Sequence, residues 1–261
     1  MRSAAASARA LPPDDRPAAL GDVIIIGGGC YGTFYAGQLE SARRTGKAAY
    51  HRLLVIDRDP ACRVTRDLEP DANRQLVSLD WGAFLDQYLS TWSADRWGGP
   101  DVIVPSPLMP HLMYEWLLRR ARTRWPERLV ETRQLPEGPG TPYDTVGRDR
   151  TRYLSFADWL CPTHCIEPAI CPVTRAPRTW EMSEALTRLT RRLDRRQPTA
   201  GPVLFVCRHE VFGVGAFSVA SVLAGDALVA RAGAAGSGVD VVVGTVSSCH
   251  GAASLLHLGP L

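Results

Sequence analysis

With 261 residues, 45% of them hydrophobic and 22% charged, the chain can bury a full core and has the make-up of an ordinary globular domain. A net charge of +3 is too small to mark a nucleic-acid surface, and the basic residues are nearly all arginine, Lys47 being the one lysine. Seven cysteines in a chain without an export signal point to reduced thiols or metal ligands in a cytoplasmic compartment.

The opening "MRSAAASARALPPDDRPAALGD" has no continuous apolar run and therefore reads as a disordered leader over residues 1–20, a transit peptide being the alternative. Residues 21–60 form the first folded unit. "DVIII" is a β-branched run of the kind that makes a strand buried on both faces. "GGGCYG" follows at once, then a helix from Thr33 to about Arg44, then a second strand "RLLVID" ending at Asp57. Strand, glycine turn, helix and strand make a βαβ unit.

Residues 61–180 have a different texture. All seven tryptophans fall between positions 81 and 180, and prolines are dense there too. The predicted elements are a strand at Asp101–Pro105 and a helix from His111 to about Trp125, with Leu112, Met113, Trp116, Leu117 and Ala121 on one face. This region is read as a Trp/Pro-rich inserted cap, held by aromatic packing, that carries a cysteine loop. Residues 181–261 return to α/β texture. Met182, Leu186, Leu189 and Leu193 recur at helical spacing, and "VLFV" and "VDVVV" are strands without alternation, suited to the interior of a covered sheet. The apolar stretch Val211–Ala230 is broken by Gly213, Gly215, Gly225 and Asp226, which makes it protein core and not a membrane span. The fold class is α/β: a mostly parallel, Rossmann-like sheet completed by the last third of the chain.

Gly27, Gly29 and Gly32 supply G-x-G-x-x-G between a strand and a helix. The first glycine permits a sharp turn, the second leaves room for a pyrophosphate, and the third lets helix and strand pack closely. The helix N-terminus presents free N–H groups to the phosphates, and Asp57 ends the next strand where a carboxylate can accept from a ribose hydroxyl. "DVIIIGGGCYGTFYAGQL" with "LLVIDRDP" resembles the N-terminal signature of the FAD/NAD(P)-binding Rossmann superfamily, over about the first sixth of the chain. That resemblance implies that Gly27, Gly29 and Gly32 line the pyrophosphate of NAD(P) or FAD and that Asp57 holds the adenosine ribose. Arg58 stands where a 2′-phosphate would lie, so NAD and NADP both stay open.

In "CPTHCIEPAICP", Cys161, Cys165 and Cys171, with His164 as a local fourth donor, are close enough to wrap one zinc ion or iron–sulfur cluster. Cys207, His209, Cys249 and His250 are candidate ligands from a distance, and structural or free thiols are the alternative. The two late strands run directly into Cys207–Glu210 and Gly244–His250, and ligands of open parallel sheets sit beyond such carboxyl ends. His209, His250 and Cys249 are therefore the candidate catalytic residues, a histidine to move a proton, with Arg208 on phosphate or carboxylate. The combined expectation is a dinucleotide-dependent oxidoreductase acting on an unidentified small molecule, with no nucleic-acid or membrane partner. Two alternatives are a non-catalytic dinucleotide-sensing module with structural zinc, and a nucleotide-dependent methyltransferase.

Overall fold

The computed structural model describes residues 18–94, 96–162 and 165–261. The first strand, β1 (Ala18–Ile26), is followed by α1 (Cys30–Arg44), β2 (Ala48–Asp57), α2 (Arg63–Asp67), β3 (Arg74–Ser78), α3 (Trp81–Ser90), β4 (Val102–Val104) and α4 (Leu112–Arg124). β1 begins inside the expected leader, because Ala18–Leu20 pair with Ala48–Tyr50 of β2 and so gain main-chain partners. β2 also pairs in parallel with β3, and β1 pairs in parallel with β4 on its other side. The chain thus crosses from one side of β1 to the other after β3.

Three short strands, β5 (Val130–Arg133), β6 (Tyr143–Val146) and β7 (Arg152–Ser155), precede α5 (Met182–Asp194). The remainder is β8 (Thr199–Val206), β9 (Arg208–Val211), β10 (Val214–Ser218), α6 (Val219–Ala234), β11 (Val239–Val246) and β12 (His250–Leu258).

These strands form two sheets, where one was expected. The first has the order β3-β2-β1-β4-β10-β9, its last two strands antiparallel. The second has the order β6-β7-β12-β11-β8, with β5 also on β12. In it, β8 and β11 are parallel neighbours, as two unalternating runs suggest, while β5, β7 and β11 all pair antiparallel to β12. Residues 61–180 do not stand apart as a cap: β4 lies inside the first sheet and β5–β7 belong to the second. Composition separated this region, but its strand pairings and its apolar helix faces tie it to both sheets.

The core explains the arrangement. Along β1, Val23 and Ile25 face α1, through Ala36, Leu39 and Ala42. Ile24 and Ile26 face the other way, into a layer built from α3, α4 and α6. That same layer receives Val203 and Phe205 of β8 and Val241 and Val243 of β11, so one apolar core joins both sheets. On the far side of the second sheet, Met182, Leu186, Leu189 and Leu193 of α5 cover Val242 and Leu255. Burial at about 25 cal/mol per Å² of apolar area is the main force holding these layers together. No described helix is long and apolar enough to cross a membrane. In α6 the acidic residue, Asp226, pairs at 2.9 Å with Arg120 and Arg124 of α4.

Candidate functional site

At the glycine turn, Gly27 has φ +90°, a backbone state that side chains disfavour. A Cβ on Gly32 would lie 1.9 Å from the Gly27 carbonyl oxygen, so helix and strand can approach this closely only with glycine there. A Cβ on Gly29 would meet nothing within 4 Å, so the main chain at the helix start is open to an incoming group. Asp57 lies beside the turn: its Oδ2 accepts from the Gly28 amide at 2.7 Å and its Oδ1 from the Asp59 amide at 2.9 Å. The carboxylate is therefore fixed in orientation and only partly engaged, since an ionised carboxylate has about four acceptor positions. Arg58 is exposed, its guanidinium 3.8 Å from Asp80. Cys62, with no role evident in the sequence, packs on Gly28, where a Cβ would stand 2.4 Å from its sulfur.

A cleft of ≈ 430 Å³ opens at the carboxyl ends of β4, β8 and β11. Ser106 enters it from the loop after β4, Tyr35 from α1, Tyr153 and Ser155 from β7, and His209 and His250 from β9 and β12. Val104 at the end of β4 is in register with Ile25 of β1, so the glycine turn and the Pro105–Ser106 wall leave adjacent parallel strands. Adjacent strands are about 4.8 Å apart.

Hydrogen bonding fixes the state of His250. The Ser155 hydroxyl donates to the Ala157 carbonyl at 2.7 Å and accepts from the Ala157 amide at 2.9 Å. Its single proton being used, it accepts from His250 Nδ1 at 2.9 Å, which makes His250 the Nδ1–H tautomer. Nε2 then carries the lone pair and faces the Cys161 sulfur at 3.7 Å. His209 Nδ1 lies 3.7 Å from Glu167 Oε2. Burial lowers the pKa of His209, opposed in part by Glu167, so the ring is held neutral. Burial by itself would raise the Glu167 pKa, but the Ser247 hydroxyl, the Ser248 and Cys249 amides and His209 hold it below the ordinary range.

Glu167 is the functional residue least visible beforehand. It sits at φ +52° and straps the cysteine loop to the β11–β12 turn, its Oε2 accepting from the Ser248 amide at 2.8 Å and its Oε1 from the Cys249 amide at 3.3 Å. The only advance signal was its place among the cysteines. Ser106, Ser155, Tyr35 and Tyr153 carried none.

The structure brings His209 and His250 to one cleft but sends Cys249 elsewhere. Its sulfur accepts from Trp180 Nε1 at 3.2 Å and faces a small cavity separate from the cleft, Cys249 lying in the turn before β12. Burial pushes its thiol up to about 11, so it is neither placed nor ionised to act as a nucleophile in the cleft. Cys207 does line the cleft, but burial raises its thiol to about 12. Arg208 does not line this cleft; it borders a cavity beside β10 and another that it shares with Glu167, Cys207, His209 and Ser248. Of the expected metal ligands, Cys161, Cys165 and Cys171 line the same small cavity as Cys249. His164 lies outside the described residues.

No curated protein and no solved structure matches the chain. Residues 113–259, which run from α4 through β12 and include the cysteine loop, His209 and His250, match a family profile described as "Uncharacterized protein, C-terminal domain". As this match spans more than half of the sequence, the chain belongs to that family, AF_1314_C.

Proposed function

We propose that the chain is a Rossmann-like, dinucleotide-binding oxidoreductase whose substrate, a small molecule, occupies the cleft lined by His209 and His250. The observation that carries this reading is the open main chain at Gly29, beside the point where the parallel order β3-β2-β1-β4 changes direction around β1. Ligands of open α/β sheets bind at such a switch point, beyond the carboxyl ends of the strands.

The residues present fit a dinucleotide. The amides at the start of α1 and its dipole would take the pyrophosphate, with the space at Gly29 free of side chains. Asp57, oriented by the Gly28 amide, retains acceptor capacity for a ribose on the β2 side, and exposed Arg58 can take a 2′-phosphate. The other half of the ligand would pass toward β4 and the Ser106 wall of the cleft. When bound, the dinucleotide supplies hydride transfer, chemistry that side chains do not offer.

Within the cleft the protein's own task is proton management. The Glu167 carboxylate favours the proton of His209 on Nδ1, which leaves Nε2, beside Gly215 in the cleft wall, to accept a proton from a substrate hydroxyl. His250 has its Nε2 turned to Cys161, so His209 is the better placed base. Pro105, Pro110 and Leu154 supply the apolar part of the cleft wall.

Gly29→Val tests this directly, because its side chain enters open space and Gly29 has an ordinary φ of −75°. We expect NAD, NADP or FAD to bind the unaltered chain in calorimetry, and the variant to bind at least about tenfold more weakly with an unchanged unfolding midpoint. Absence of binding by all three, or equal binding by the variant, refutes the reading.

A further inference from the structure

Residues 156–181 contain no described helix and only one isolated bridge, Ile170 with Pro177. A loop of this length needs an anchor other than a hydrogen-bond ladder. Part of the anchor is the Glu167 strap. The rest of the chemistry converges on one cavity, whose wall includes Cys161, Cys165, Cys171, Cys249 and Arg178. Three of these thiols come from the loop and the fourth from the β11–β12 turn. All of them are free thiols.

Several N–H donors are aimed at the sulfurs of this cavity, although burial holds Cys249 and Cys161 as thiols until a metal displaces their protons. Trp180 Nε1 donates to Cys249 Sγ at 3.2 Å, and the Glu167 amide donates to Cys165 Sγ at 3.4 Å. The Thr174 and Val173 amides face the Cys171 sulfur. N–H donors aimed at sulfur stabilise its negative charge, and Arg178 in the same wall is itself paired with Glu181 at 2.9 Å. The main chain sets the spacing. Cys165 N donates to the Pro162 carbonyl at 3.0 Å. Cys171 is held in a turn by its amide on Ala176 O at 2.9 Å and by Arg175 N on its own carbonyl at 2.8 Å.

We propose that Cys161, Cys165, Cys171 and Cys249 are the ligands of a four-thiolate metal centre, filled by one zinc or iron ion or by an iron–sulfur cluster. As they stand, no three or more His, Cys, Asp or Glu side chains among the described residues are placed to hold a metal ion. The sulfurs sit around the cavity wall, so a single ion must draw them inward, whereas a cluster brings its own inorganic core to span them. Glu167 is not a ligand, because its carboxylate is committed to the Ser248 and Cys249 amides. His250 stands behind Cys161, as an outer partner that orients a ligand. The centre joins the cysteine loop to the strand turn that carries His250 into the cleft, and this assignment does not depend on dinucleotide binding.

The full chain, produced with added iron and zinc and purified without oxygen, is analysed for zinc, iron and acid-labile sulfide. One zinc or one iron per chain without sulfide supports a single-ion centre; iron with matching sulfide and broad visible absorption supports a cluster. Cys249→Ser should lose the metal, whereas Cys207→Ser, at a buried thiol outside the cavity, should keep it. As Cys249→Ser can fail to fold, the metal-free wild-type chain is also titrated with Co²⁺, and sulfur-to-cobalt charge-transfer bands are expected. Absence of metal together with absence of those bands overturns the proposal. So does metal retained in full by folded Cys249→Ser, or lost equally by Cys207→Ser.

Discussion

The two sheets meet in one core but are built on different logic. In the first, each parallel neighbour is reached by a crossover, and the pairing of β1 with β2 and β4 follows from runs of branched apolar residues. In the second, β12 is the hub: Leu258 pairs with Val130, and His250 with Ser155. Those partners are distant in sequence, and the pairings have no local signature. The first sheet contributes bare main chain to the candidate site, at the glycine turn. The second contributes side chains, His209 apart, with Ser155, His250 and the four-thiol cavity. A binding surface made of backbone is encoded where it stands, while one made of side chains is encoded wherever the strands come from.

If the shared core makes the sheets one cooperative unit, injury to the first should reach the second. The largest effect is expected at Asp22, midway along β1 and fully buried. Its carboxylate accepts from Arg52 at 2.6 Å, from His51 at 2.8 Å and from Tyr88 at 3.1 Å, while its amide donates to Asp101 at 2.7 Å. Asp22→Ala strips the half-buried Arg52 of its partner, which should cost about 3 kcal/mol in urea unfolding, the scale for breaking a buried pair. Hydrogen exchange decides the comparison. Amides of β1–β2 and of β11–β12 should lose protection together; if β11–β12 keep theirs, the sheets are separate folding units.

The sequence was readable where a constraint was local. Gly27 needs its positive φ, Gly32 needs the absence of a Cβ, and Asp57 ends its strand, so the turn could be read residue by residue. Helix α4 was legible from the spacing of Met113, Trp116 and Leu117, all now buried. Assignment of strands to sheets was not, because "VLFV" and "VDVVV" satisfy a covered strand in either sheet. Cys249 and His250, neighbours in sequence, looked like one cluster, but Cys249, in the turn, faces the small cavity while His250, the first residue of β12, lines the cleft. Cys249 then joins three cysteines from the other end of a long loop, a grouping that spacing alone left open. Tryptophan density suggested a cap, yet Trp116 lies in the shared core with its Nε1 donating to Asp86 at 2.8 Å, and Trp92 donates to Asp101 at 2.8 Å.

His111 links the sheets at the cleft and gives a smaller, pH-dependent effect. It is buried at the start of α4, stacked on Tyr114 with centroids 5.0 Å apart, and its Nδ1 meets Thr245 Oγ1 of β11 at 3.1 Å. Its Nε2 has no partner among the described residues, and burial pushes its pKa down to about 3. A histidine whose pKa is depressed by folding favours the folded state above its unfolded value of about 6.5, and that stability is lost as pH falls toward the folded value. From about pH 7.5 to about pH 5.5 this should remove about 1.4 kcal/mol from the unfolding free energy. His111→Phe keeps the stack on Tyr114 and cannot titrate, so its curve should be flatter by that amount, while His209 and His250 contribute equally to both proteins. Curves of equal slope would mean that protonated His111 finds water or a partner at the sheet junction.

The smallest effect is expected on the outer face of α5, and its smallness carries information about the second sheet. Glu184 and Arg188 pair at 3.4 Å one helical turn apart, with side chains 70% and 61% exposed. An exposed pair at this spacing contributes about 0.3–0.5 kcal/mol, and alanine returns a comparable amount through its higher helix propensity. Glu184→Ala should therefore leave the urea midpoint almost unchanged, and added salt should reduce even that difference. A loss above about 1 kcal/mol could not come from the pair alone. It would require the outer face of α5 to be covered in solution, which a concentration dependence of the midpoint would reveal.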